Sequence, residues 1–247
     1  MTSSAPEPPA PLALLDQVAE ASARLVRTVE GMGDDDVREP SLLPGWTRGH
    51  VLAHISRNAD SLVNLLLWAR TGIETPQYAS PFIRDYDIEA GSSRPLAEQL
   101  IDLEASAARF AALASTAPDT AWAATVRTRG GREIRATEIP WMRLQEVEIH
   151  HADLAAGYGP ADWPEEFLTR LLPAVTADLS AAAAAHVPPL TPAFAVEATD
   201  TRFAATIGTG VPTRTIAGPG HALVAWLIGR STGDALPASL PELPAWR

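Results

Sequence analysis

The sequence contains no cysteine and no lysine. Without cysteine there is no disulfide, no thiolate metal site and no cysteine nucleophile, so thiol chemistry here would need an external thiol. Without lysine, a Walker-type phosphate loop, a Schiff base and a lysine general base all drop out. The 19 cations are therefore all arginine, and they face 30 acidic residues. The net charge of −11 argues against nucleic acid or an anionic membrane surface as a partner. No apolar run approaches the roughly eighteen residues that a membrane span requires. The opening MTSSAPEPPAP also lacks the basic start and apolar stretch of a secretion signal, so a soluble cytoplasmic protein is expected.

A chain of 247 residues is long enough for one or two domains with a real core. The proline-rich residues 1–11 read as a disordered tail. Four helices follow, on the evidence of apolar spacing. The first runs from Pro11 to Gly31, the second from an N-cap at Thr47 to Gly72, the third from Pro95 to Ser115, and the fourth from Pro140 through Ala156. Residues 72–94 read as an aperiodic covering loop. TVRTRGGREIRAT reads as a short hairpin turning at Gly130 and Gly131. Beyond Trp163 come one amphipathic helix, two paired strands in AFAVEA and RFAATIG, and a last helix GHALVAWLIGR. The expected fold is mainly α: a helical bundle over residues 12–160, then a small α+β domain over 161–247.

The fourth helix carries the chemistry. Taking Glu146 as zero at about 100° per residue, Arg143 falls near 60°, His150 near 40° and Asp153 near −20°, a single polar stripe. Met142 and Ile149 flank it on one side and Val147 and Leu154 on the other, so the stripe is expected to be buried. Glu148 and His151 point roughly 140° to 200° away, where solvent is expected. A buried carboxylate and imidazole at i, i+4 need a partner. A satisfied ion pair is one solution and a shared divalent cation another, since carboxylate oxygen and neutral imidazole suit Zn²⁺. On the second helix His54 lies at the edge of the apolar stripe and is the preferred third candidate, with His50 one turn earlier as its competitor. His186 reads as a surface residue, His221 as a helix-terminus residue, and Trp46, Trp141 and Trp226 as core anchors.

LLPGWTRGHVLAHISRNAD, RLQEVEIHHADLAAGYG and LVAWLIGRSTG together resemble the mycothiol-dependent maleylpyruvate isomerase family, within the DinB-like bundle superfamily. The resemblance implies a DinB-like four-helix metal-binding bundle followed by a small α+β domain. It carries the zinc ligands onto His54, Glu146 and His150, and an anion-binding arginine onto Arg230. A cation complementing a helix C-terminus accounts for Arg230 equally well. Asp153 is the candidate for orienting His150. The implied reaction uses mycothiol as cosubstrate. Its thiolate adds to the cis alkene of maleylpyruvate, the new single bond rotates, and the thiolate departs to leave the trans isomer. Two other readings stay open: a mycothiol S-transferase acting on a different electrophile, and a non-catalytic metal-binding or small-molecule-binding protein. The partners expected are thus a low-molecular-weight thiol and a small electrophile, with no nucleic acid and no membrane.

Overall fold

The computed structural model describes residues 11–185, 192–236, 239–243 and 246. Of the tail expected over residues 1–11, residues 1–10 lie outside the described residues, as does His186, while Pro11 is the first residue of a helix. The chain divides into two compact units, Met1–Tyr158 and Gly159–Arg247.

The first unit begins with α1 (Pro11–Glu30), which buries Leu14, Val18, Ala21, Leu25 and Val29 at three- and four-residue spacing. After a short α2 (Asp34–Arg38) comes the long α3 (Arg48–Thr71). Its ends are set by local chemistry. The Thr47 side chain accepts from the His50 amide at the N-terminus, and Gly72 takes the left-handed conformation, φ 72°, at the other end. The segment expected as a loop contains a helix, α4 (Pro81–Ser92). Its start is a Ser80 cap, whose side chain accepts from the Ile83 amide, with Pro81 at the first helical position, where no hydrogen-bond donor is missed. Then follow α5 (Leu96–Ser115), α6 (Asp119–Trp122) and an antiparallel hairpin of β1 (Thr125–Arg127) and β2 (Glu133–Arg135), with Val126 opposite Ile134.

The fourth bundle helix, α7 (Ile139–Asp153), stops three residues short of the expected end. The carbonyls just past its end are taken by another helix: Arg48, at the start of α3, donates to Leu154 O at 2.8 Å and Ala155 O at 3.0 Å. Ala155 itself turns into the left-handed region, φ 52°. The long helices pack in the ring order α1, α5, α3, α7. Each therefore offers two faces to neighbours, which is the four-helix architecture expected.

The second unit holds α8 (Glu165–Ala185), a three-stranded sheet and α9 (Gly220–Leu227). β3 (Phe194–Ala198) is central, antiparallel to β4 (Ala204–Ile207) and parallel to β5 (Thr215–Gly218). β5 is absent from the sequence reading. It pairs in parallel with β3 from across a loop, so no neighbouring strand and turn in the sequence announce it. Phe194, Val196, Ile207 and Ile216 bury the sheet's inner face. Among the described residues no helix is long and apolar enough to cross a membrane.

Candidate metal centre

α3 and α7 meet at His54, Glu146 and His150. His54 sits less than two turns into α3, where the capped N-terminus fixes the helix, and is 6% exposed. Glu146 and His150 share one face of α7 through i, i+4 spacing. His54 Nε2 lies 3.0 Å from Glu146 Oε2 and 3.1 Å from His150 Nε2, and the third edge, His150 Nε2 to Glu146 Oε2, is 3.3 Å. The three donor atoms thus form a nearly equilateral triangle. Atoms bonded at roughly 2.1 Å to one tetrahedral cation stand about 3.4 Å apart, close to these edges. If both imidazoles donate to Glu146, their Nε2 hydrogens face each other across 3.1 Å. A cation removes that conflict, and two nitrogens with one carboxylate oxygen are a donor set that suits zinc. The Glu146 side chain is 31% exposed, so the triangle is not sealed from solvent.

The surrounding charges are consistent with this arrangement. Burial opposes ionisation of Glu146, yet hydrogen bonds from His150 and His54 hold its carboxyl well below the usual range. Burial likewise opposes a charged His150, but Asp153 and Glu146 raise it to about 9. Burial lowers His54. Asp153 is fully buried, and its Oδ2 lies 2.8 Å from His150 Nδ1, which points Nε2 into the triangle. Arg143 shares the stripe but faces α3, where its Nη1 donates to Ile55 O at 2.8 Å and Asn58 Oδ1 at 3.0 Å. Burial pushes it down to about 10, still charged at neutral pH.

His50, the competing candidate, is not in the triangle. Its Nε2 meets Glu89 at 3.1 Å and its Nδ1 the Thr47 amide at 3.2 Å. Trp46 is half-buried beside both histidines, edge-on to His54 at 5.6 Å and stacked on His50 at 6.0 Å. Trp141 and Trp226 are buried. In the second unit, His221 is in the first turn of α9, and Arg230 follows that helix. The Arg230 amide donates to Ala225 O at 2.7 Å and its guanidinium to Ile228 O at 3.0 Å.

One expectation is overturned. Glu148 and His151 do not face solvent; each is 1% exposed. α1 covers them. Arg24 pairs with Glu148, Tyr158 donates to the same carboxylate, His151 Nε2 lies 2.8 Å from Thr28 Oγ1, and Tyr158 stacks on His151 at 3.8 Å. Their partners Arg24 and Thr28 lie one turn apart on α1, a pairing that only the packing of α1 on α7 reveals. A second pair of residues was missed with α4: Arg84, whose Nη2 lies 3.5 Å from His54 Nδ1, and Tyr78, whose ring centroid is 5.9 Å from the Arg84 guanidinium. The Ser80–Pro81 helix start was the signal for them.

Comparison with known proteins gives the same architecture. Residues 18–155 match the family model described as the mycothiol maleylpyruvate isomerase N-terminal domain. The crystal structure of a mycothiol-dependent maleylpyruvate isomerase superposes with a TM-score of 0.86 at 29% identity, covering 96% of this chain and 97% of that one. A histidine-to-alanine mutant of such an enzyme superposes with a TM-score of 0.85 over the same shares, also at 29% identity. YfiT from Bacillus subtilis, described as a probable metal-dependent hydrolase with an unusual four-helix bundle topology, gives a TM-score of 0.51 at 20% identity. It covers 63% of this chain and 88% of its own, a likeness of fold alone. None of the curated proteins matches the sequence.

Proposed function

Because the chain belongs to the mycothiol maleylpyruvate isomerase family, we propose that it is a zinc- and mycothiol-dependent cis–trans isomerase of the maleylpyruvate type. The observation that carries this reading is the triangle of His54, Glu146 and His150, with edges of 3.0 to 3.3 Å and a partly exposed Glu146. In this reading the three side chains hold Zn²⁺, and Asp153 is a positioning residue that holds His150 in the tautomer with Nε2 free to ligate. A bound Zn²⁺ supplies the acidity that keeps a thiol as thiolate at neutral pH. The absence of cysteine leaves that thiol to come from outside, as mycothiol. Glu146 is held ionised, so it offers its charge as a ligand and not as a proton donor. Arg230 is assigned to an anionic group of substrate or thiol. The overall reaction is balanced with respect to thiol: one carbon–sulfur bond forms, the carbon–carbon bond rotates, and the same carbon–sulfur bond breaks.

The test is metal content and turnover of the full-length protein. Zinc at one per chain and mycothiol-dependent formation of the trans isomer are expected for the wild type, with zinc lost in His54→Ala and Glu146→Gln. Glu148→Gln and His151→Ala should keep zinc, because those side chains face α1. Zinc retained in both ligand variants would refute the ligand set. Net consumption of mycothiol, with a conjugate as product, would replace isomerisation by S-transfer.

A further inference from the structure

The two histidines of the triangle differ at the nitrogen that faces away from it. His150 Nδ1 has the Asp153 carboxylate, which accepts its hydrogen and fixes the ring for ligation. His54 Nδ1 faces the guanidinium of Arg84 at 3.5 Å, and a guanidinium only donates. A neutral imidazole that gives Nε2 to a cation keeps its hydrogen on Nδ1 and cannot accept from an arginine. Orienting His54 as a ligand therefore does not explain Arg84. Its other contacts are Nη1 at 2.6 Å with Asp85, which is 70% exposed, and the Tyr78 side chain, which it hydrogen-bonds and whose ring centroid lies 5.9 Å away. An ion pair with so exposed a carboxylate is weak and gives way readily to a competing anion. Arg143, the other cation near the centre, is committed to Ile55 O and Asn58 Oδ1.

Arg84 is also held where it is by design of the backbone. α4 runs antiparallel to α3 at a distance that only small residues allow. A Cβ on Gly49 would fall 2.1 Å from Ser92 O, and one on Gly91 would fall 2.9 Å from the Ala53 Cβ. The side chain is 16% exposed, so it is accessible from outside while fixed from within.

From this we propose that Arg84 binds a carboxylate of the electrophile beside the metal centre, and so selects anionic substrates. The proposal rests on the isomerase reading for the identity of the substrate. A thiolate attacking an electrophile that itself carries carboxylates meets like-charge repulsion, and a guanidinium paired with one of those carboxylates offsets it. The ligand class is a small mono- or dicarboxylate, gripped by the planar fork of the arginine.

The experiment compares zinc-loaded wild type, Arg84→Gln and Arg84→Lys, with zinc measured in each. Succinate binding is followed by calorimetry, and mycothiol-dependent turnover is followed with maleylpyruvate and with the uncharged electrophile N-ethylmaleimide. Arg84→Gln is expected to retain zinc, to weaken succinate roughly ten- to hundred-fold, and to lower the ratio of kcat/KM for maleylpyruvate over N-ethylmaleimide by a similar factor, mainly through KM. Arg84→Lys should recover part of both. Equal losses for the charged and uncharged electrophiles, unchanged succinate binding in Arg84→Gln, or a lysine variant no better than glutamine would each overturn the proposal. If wild type forms no trans product, the isomerase reading fails, while the succinate titration still decides whether Arg84 is an anion site. Absence of succinate binding to wild type counts against it.

Discussion

His150 has a carboxylate at each ring nitrogen, Asp153 at Nδ1 and Glu146 at Nε2, and this decides how it behaves with and without metal. With zinc chelated away, its raised value of about 9 means the folded protein holds a proton that the unfolded chain releases near 6.5. The stabilisation is fully present below pH 6.5 and is lost as pH rises through 9. The melting temperature of chelated protein is therefore expected to fall between pH 7 and 9.5, and zinc, which takes the proton's place, should flatten that slope; thermal scans across the range check it. Asp153→Asn should weaken zinc binding about ten- to hundred-fold, read by competition with a chromogenic chelator, because an amide can present its NH₂ to Nδ1 and favour the wrong tautomer. The stripe of Arg143, Glu146, His150 and Asp153 was legible in the sequence because its apolar flanks said it was buried. The fate of Glu148 and His151 was not. A helical wheel gives directions around one helix, and α7 has α1 on the side where the wheel leaves water.

Among the elements, α4 carries the largest difference between sequence and structure. Its residues PFIRDYDIEAGS have a weak apolar period, and Phe82 and Tyr86 remain 73% and 60% exposed, so periodicity could not reveal it. What specifies the helix is local, the Ser80 cap and Pro81, together with the glycine contacts that seat it on α3. Those contacts can be tested directly. Gly91→Ala and Gly49→Ala should each destabilise the protein by about 1 to 3 kcal/mol in urea titrations, with Gly49→Ala the worse because its neighbour is a backbone carbonyl that cannot turn aside. Gly91 is seven residues from Arg84, about 10 Å along the helix axis, so a tilt of ten degrees at the glycine moves the guanidinium by nearly 2 Å. Weakened binding of carboxylates in Gly91→Ala would accompany the loss of stability. The bundle helices α1, α3 and α5, by contrast, were readable to within a residue, since each buries one broad apolar face and ends on a cap, a glycine or a proline.

For the molecule as a whole, alternation marked β3 and β4, but β5 joins them from across a loop, in parallel, and its pairing is a property of the assembled unit. The triangle's mutual geometry was beyond the sequence for the same reason. Its edges join residues 92 and 96 positions apart, and the Arg24–Glu148 pair behind α7 joins residues 124 apart. Order of synthesis follows from those separations. α7 is the last of the four bundle helices in sequence order, and it supplies the cover for His54 and one flank of α3. Contacts between residues so far apart in sequence slow folding in general, and apolar surface left uncovered favours association between chains. The segment that completes the reactive centre is thus also the one that closes the ring of bundle helices.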